Sequence, residues 1–155
     1  MIGSTETAKK VISDSSTSIK KYSMELGGNA PFIVFDDADL DNAINIGAAI
    51  KFGNCGQICV AANRFFVHEK VYDKFLNGLI EKAKNLKIGY SEDLDFEIGP
   101  LISKKSRDRI TNLIKDTIDS GGILEYGGGI PKMNGNWFEP TAVSYTHLRA
   151  HETSI

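Results

Sequence analysis

The sequence has few cysteines, no dominant sign of charge and no long apolar run. Two cysteines in 155 residues do not make a disulfide framework. A formal net charge of −2, with lysines and acids interspersed, gives no basic surface for nucleic acid. No apolar stretch approaches the roughly 20 residues of a membrane helix, so no membrane partner is expected. The first ten residues, MIGSTETAKK, have no apolar signal core. No internal repeat is visible. These absences point to a reducing cytoplasmic compartment.

What is present suits a globular chain. Hydrophobic residues make up 41% and charged residues 25% of it, which argues against global disorder. SIKKYSMEL alternates at Ile19, Tyr22, Met24 and Leu26 and reads as a short strand stopped by Gly27 and Gly28. APFIVF, from Ala30 to Phe35, reads as a strand buried on both faces.

The period then changes. Leu40, Ala43, Ile44, Gly47 and Ile50 share one helical face, and Asp37, Asp39 and Asp41 crowd the helix start, where its dipole favours anions. NRFFVH is another strand. Tyr72, Phe75, Leu79, Ala83 and Leu86 predict an amphipathic helix stopped at Gly89. Ile110, Leu113, Ile114, Thr117 and Ile118 predict a second, closed by Gly121 and Gly122, with ILEYGG as a strand after it. Strands alternating with helices predict an α/β fold, a mostly parallel sheet with flanking helices. Val143 to Ile155 has no periodicity and resembles the read-through translation of a sequencing adapter. It is expected to be a non-native tail, outside fold and site.

GNCGQICVAANR holds both cysteines, Cys55 and Cys59. Outside the tail, His68 is the only histidine to join them, too few ligands for zinc, so no metal is expected. Their spacing is one residue too long for a Cys-x-x-Cys redox pair. An inert buried thiol is the default for either. A nucleophilic thiol wants small neighbours and backbone N–H donors for a developing oxyanion. Gly56, Ala61 and Ala62 fit that need around Cys59 without proving it. In MELGGNAPF, Glu25 is either a solvent-facing carboxylate or a desolvated general base, with glycines that let a ligand approach the backbone.

Together these residues resemble the aldehyde dehydrogenase superfamily. The glutamate motif stands as Glu25-Leu26-Gly27-Gly28-Asn29, and the cysteine motif as Gly56-Gln57-Ile58-Cys59-Val60-Ala61-Ala62-Asn63-Arg64. Asp36 to Leu40, IGPLIS (Ile98 to Ser103) and FEPT (Phe138 to Thr141) follow the family's order. The resemblance covers about Ile2 to Ala142. It implies Cys59 as nucleophile and Glu25 as base, with NAD or NADP as cofactor and a small aldehyde as substrate. It implies Gly3, Ser4 and Leu26 beside the cofactor, Gly53 and Ile58 beside the aldehyde, and no catalytic role for Cys55. It also implies that residues 1–21 end a cofactor-binding domain, residues 22–142 form part of a catalytic domain, and the parent enzyme is a homo-oligomer.

Three departures stand out. Ala8 replaces a glycine usual in the early loop. The neighbourhood looks most like the succinate-semialdehyde dehydrogenase branch. Many of its members carry, six residues before the nucleophile, an arginine for the substrate carboxylate, but Gly53 stands here. Finally, family enzymes are much longer, so the chain is expected to be an internal piece, inactive alone. Two other readings stay open: a non-catalytic interaction fragment, and a CoA-acylating relative, which the retention of Glu25 disfavours.

Overall fold

The computed structural model describes residues 1–90 and 96–145. Ser4 caps the first helix, α1 (Thr5–Asp14), its hydroxyl accepting from the Thr7 N–H. Strand β1 (Ala30–Val34) leads into α2 (Leu40–Phe52). Asp39 is the residue of the acidic cluster that caps α2, its carboxylate accepting from Asn42 N–H at 3.1 Å. Strand β2 (Ala62–Val67) pairs in parallel with β1, so α2 is a crossover between neighbouring strands. Helix α3 (Tyr72–Asn85) packs back onto α2.

Val34, Leu40, Ile44, Ala48, Phe52, Phe75, Leu79 and Ala83 form one buried cluster. Phe32, Phe65 and Phe75 meet ring to ring, with centroids 5.3 to 6.3 Å apart. Such pairs contribute about 0.5–1.5 kcal/mol each beyond their burial. Gly47 allows this closeness: a Cβ there would lie 3.3 Å from the Phe65 ring.

Helix α4 (Lys104–Asp119) follows, then β3 (Ile123–Tyr126) and β4 (Ala142–Ser144), which pair antiparallel. The parallel β1–β2 pair is the predicted α/β unit; the antiparallel pair is an addition that the sequence reading lacked. β4 takes in Val143 and Ser144, the first residues of the expected tail. Residues 146–155 of that tail lie outside the described residues.

Three expectations need correction. SIKKYSMEL is not a strand: its ladder contact is a single bridge from Glu25 to Ile2, and Ile19 is fully exposed. Alternation without a partner strand makes no ladder. β1 is not buried on both faces, because Ile33 is 60% exposed and Phe35 beyond it 65% exposed. The helices cover one face of the pair and leave the other open. α3 ends at Asn85, before Gly89, because Leu86 turns extended and packs on the core.

Candidate active site

Beyond Phe52 the chain makes a tight turn, Gly53–Gly56. Asn54 and Cys55 take left-handed φ angles of 49° and 59°, followed by Gly56 at 70°. Each non-glycine residue held there costs on the order of 1 kcal/mol or more. Tertiary bonds hold the turn. The Cys55 thiol donates to the Gly99 carbonyl at 3.0 Å, and the Gln57 Oε1 accepts from Ile102 N–H at 3.0 Å. IGPLIS is thus the brace of the cysteine loop. Burial raises the Cys55 thiol's pKa above its ordinary value, with the Gly99 contact opposing that rise.

Cys59 sits in the next turn, closed by Ala61 N–H donating to the Ile58 carbonyl at 3.1 Å. Cys59 is exposed, while Ala61 and Ala62 behind it are buried. Ile58 (41% exposed) and Val60 (66% exposed) flank it, so its immediate surface is apolar. Gly53 lies close by: a Cβ there would meet only Ile58 Cδ1, at 3.7 Å. Both residues named for the substrate thus lie together beside the Cys59 turn.

Glu25 is fixed by backbone. Its N–H donates to the Met1 carbonyl at 2.8 Å, and its carbonyl accepts from Gly3 N–H at 3.0 Å. This bridge brings Gly3 and Ser4 beside Glu25 and Leu26. Glu25 itself is exposed, so desolvation does not single it out as a base. Of the two readings left open by the sequence, the solvent-facing carboxylate is the one found, because Met1–Gly3 pairs only with the backbone edge of this segment.

Gly28 joins the two motifs. A Cβ on Gly28 would fall 2.3 Å from the Cys59 carbonyl oxygen, so only glycine allows this approach. Asn63 and Arg64 tie the same loop to β2: Asn63 Nδ2 donates to the Gly28 carbonyl at 3.3 Å, and Arg64 Nη2 to the Asn29 carbonyl at 2.9 Å. Lys51, in the last turn of α2, donates to Asn63 Oδ1 at 2.9 Å. Burial pushes the Lys51 ammonium pKa below the ordinary lysine value. Lys51 escaped the sequence reading; the signal was a lysine directly after the apolar run Ala48-Ala49-Ile50 in the last turns of α2. Among the described residues no group of three or more His, Cys, Asp and Glu side chains could hold a metal. Nor is any helix among them long and apolar enough to cross a membrane.

Comparison with known proteins decides the family. The sequence pattern of the aldehyde dehydrogenase family matches residues 1–151. The chain belongs to the aldehyde dehydrogenase family. Among curated aldehyde dehydrogenases it is 45% identical over 143 residues to succinate-semialdehyde dehydrogenase [NADP(+)] 2 of Schizosaccharomyces pombe, covering 92% of this chain and 29% of that protein. It is 45% identical over 139 residues to succinate-semialdehyde dehydrogenase [NADP(+)] GabD of Escherichia coli, covering 90% of this chain and 29% of that protein. The crystal structure of succinate-semialdehyde dehydrogenase from Burkholderia pseudomallei superposes with a TM-score of 0.89 at 42% identity, over 92% of this chain and 30% of that one. The chain therefore spans under a third of the length of these relatives.

Proposed function

We propose that this chain carries the nucleophile and the base of an NAD- or NADP-dependent aldehyde dehydrogenase, which oxidises a small aldehyde to a carboxylic acid. The observation that carries this reading is the contact of Gly28 with the Cys59 carbonyl, which brings the glutamate motif onto the cysteine turn.

Cys59, exposed and backed by small residues, attacks the aldehyde carbon as thiolate to give a thiohemiacetal. Its own backbone N–H donates to the oxyanion. Bound NAD or NADP would supply the two-electron acceptor needed to reach the thioester. Glu25 then takes a proton from the water that attacks the thioester carbonyl, releasing the acid and restoring the Cys59 thiol. Gly3, Ser4 and Leu26 would hold the nicotinamide end of the cofactor. Beside them, the Glu6 carboxylate stands in the first turn of α1. Its own backbone N–H, then the Ser4 side chain, hold its pKa below the ordinary value.

The similarity to succinate-semialdehyde dehydrogenases supports a semialdehyde substrate. Against it, Gly53 offers no charge to a distal carboxylate, and Ile58 and Val60 line the nucleophile with apolar surface. The chain alone is proposed to have no turnover.

The test is a chimera in which residues 2–142 replace the matching segment of the Escherichia coli relative. It should reduce NADP with succinate semialdehyde and make free acid, whereas Cys59→Ala should fall to the assay floor. Turnover that persists in Cys59→Ala would sink the reading. Acyl-CoA as the product, with no free acid, would move the chain to the acylating class. The isolated 155-residue chain should give no cofactor reduction with the same aldehyde.

A further inference from the structure

We infer that Lys51 is a positioning residue, which acts through the Asn63 amide to hold the Gly27–Gly28 turn against the backbone of Cys59. The inference rests on the reading of Cys59 as nucleophile. The chain of contacts is short. Lys51 Nζ donates to Asn63 Oδ1 at 2.9 Å, and Asn63 Nδ2 donates to the Gly28 carbonyl at 3.3 Å. Gly28 in turn lies so close to Cys59 that a Cβ would meet its carbonyl oxygen at 2.3 Å.

The chemistry of the first link sets the direction of the second. A lysine ammonium can only donate, whereas an asparagine amide has one accepting and one donating end. With Lys51 at the oxygen, the NH₂ end must face Gly28. Without Lys51, the amide oxygen loses the partner that fixes the Asn63 side chain, and the 3.3 Å bond from its NH₂ end to the Gly28 carbonyl must hold alone. The glycine turn is then tied to β2 less firmly, with the Arg64 bond to the neighbouring Asn29 carbonyl as the tie that remains intact. Lys51 stands in the last turn of α2 and reaches the Cys59 turn through Asn63 and Gly28, so it acts on the nucleophile indirectly.

The test is amide hydrogen exchange on the 155-residue chain, read at the Ala61 N–H that closes the Cys59 turn. Lys51→Met should quicken that exchange by roughly fivefold, the scale of one net hydrogen bond. Lys51→Arg, which still donates, should restore the original rate. Asn63→Asp separates positioning from packing. It keeps an acceptor for Lys51 but cannot donate to Gly28, so it should exchange as fast as Lys51→Met. Should Lys51→Met fail to fold, the Asn63→Asp comparison decides alone, with Leu79 in α3 as the reference for global opening. Unchanged Ala61 exchange in Asn63→Asp overturns the inference, as does a failure of Lys51→Arg to restore it. If exchange behaves as stated while Cys59 takes no acyl group in the chimera, the relay stands and the proposed function falls.

Discussion

The β1–α2–β2–α3 region and the α4–β3–β4 region are built to different standards. In the first, helices and strands share one core, and Phe75, Leu79 and Ala83 of α3 are buried against α2 and the sheet. In the second, α4 has no buried residue, and Leu113 on its apolar face is 55% exposed. Both helices show amphipathic spacing in the sequence. Periodicity therefore announces which face is apolar, and only tertiary neighbours decide whether that face is covered. The nucleophile turn hangs from the covered region and is braced by Gly99 and Ile102, which lead into the open one.

Substitutions in the two regions should sharpen the contrast. Phe75→Ala, at the meeting of three rings, should cost about 3–5 kcal/mol in denaturant unfolding. Gly28→Ala should cost about 1–3 kcal/mol from overpacking, because its Cβ has no room beside the Cys59 carbonyl. In the chimera it should also cut turnover more than it lowers stability; a turnover loss no larger than the stability change explains would break the link drawn between the two motifs. Leu113→Ser, on the exposed face of α4, should stay within about 0.5 kcal/mol of the parent chain. A loss comparable to that of Phe75→Ala would show that α4 is covered after all, and would erase the comparison. Gly53→Arg, whose Cβ would make only an ordinary contact with Ile58, should be equally mild in stability, while lowering KM for succinate semialdehyde through a new carboxylate partner.

Much of the fold was legible, for identifiable reasons. Ala30–Val34, α2, α3 and α4 announced themselves by period and by the Asp39 cap, signals that are local in sequence. SIKKYSMEL misled because alternation is necessary for a half-buried strand but does not supply a partner. β4 was missed because Ala142–Ser144 is three residues long and is defined by its pairing with β3. At the site, motif resemblance named Glu25 and Cys59, and the structure shows how Gly28 connects their segments. The left-handed turn at Asn54 and Cys55 was not readable as a pair, since asparagine tolerates that conformation but nothing marks Cys55 for it. Lys51 and Asn63 were opaque as a pair because their contact joins a helix end to a strand across the fold.

The most direct measurement is the mass of the Cys59 peptide from the Glu25→Gln chimera after mixing with aldehyde and NADP. With the base removed, turnover should fall by roughly 10²–10⁴-fold. The acyl group should then accumulate as one equivalent of thioester on Cys59, with Cys55 unmodified. A Glu25→Gln enzyme that turns over at the parent rate, or one whose acyl group is found on Cys55, would contradict the assignment of nucleophile and base.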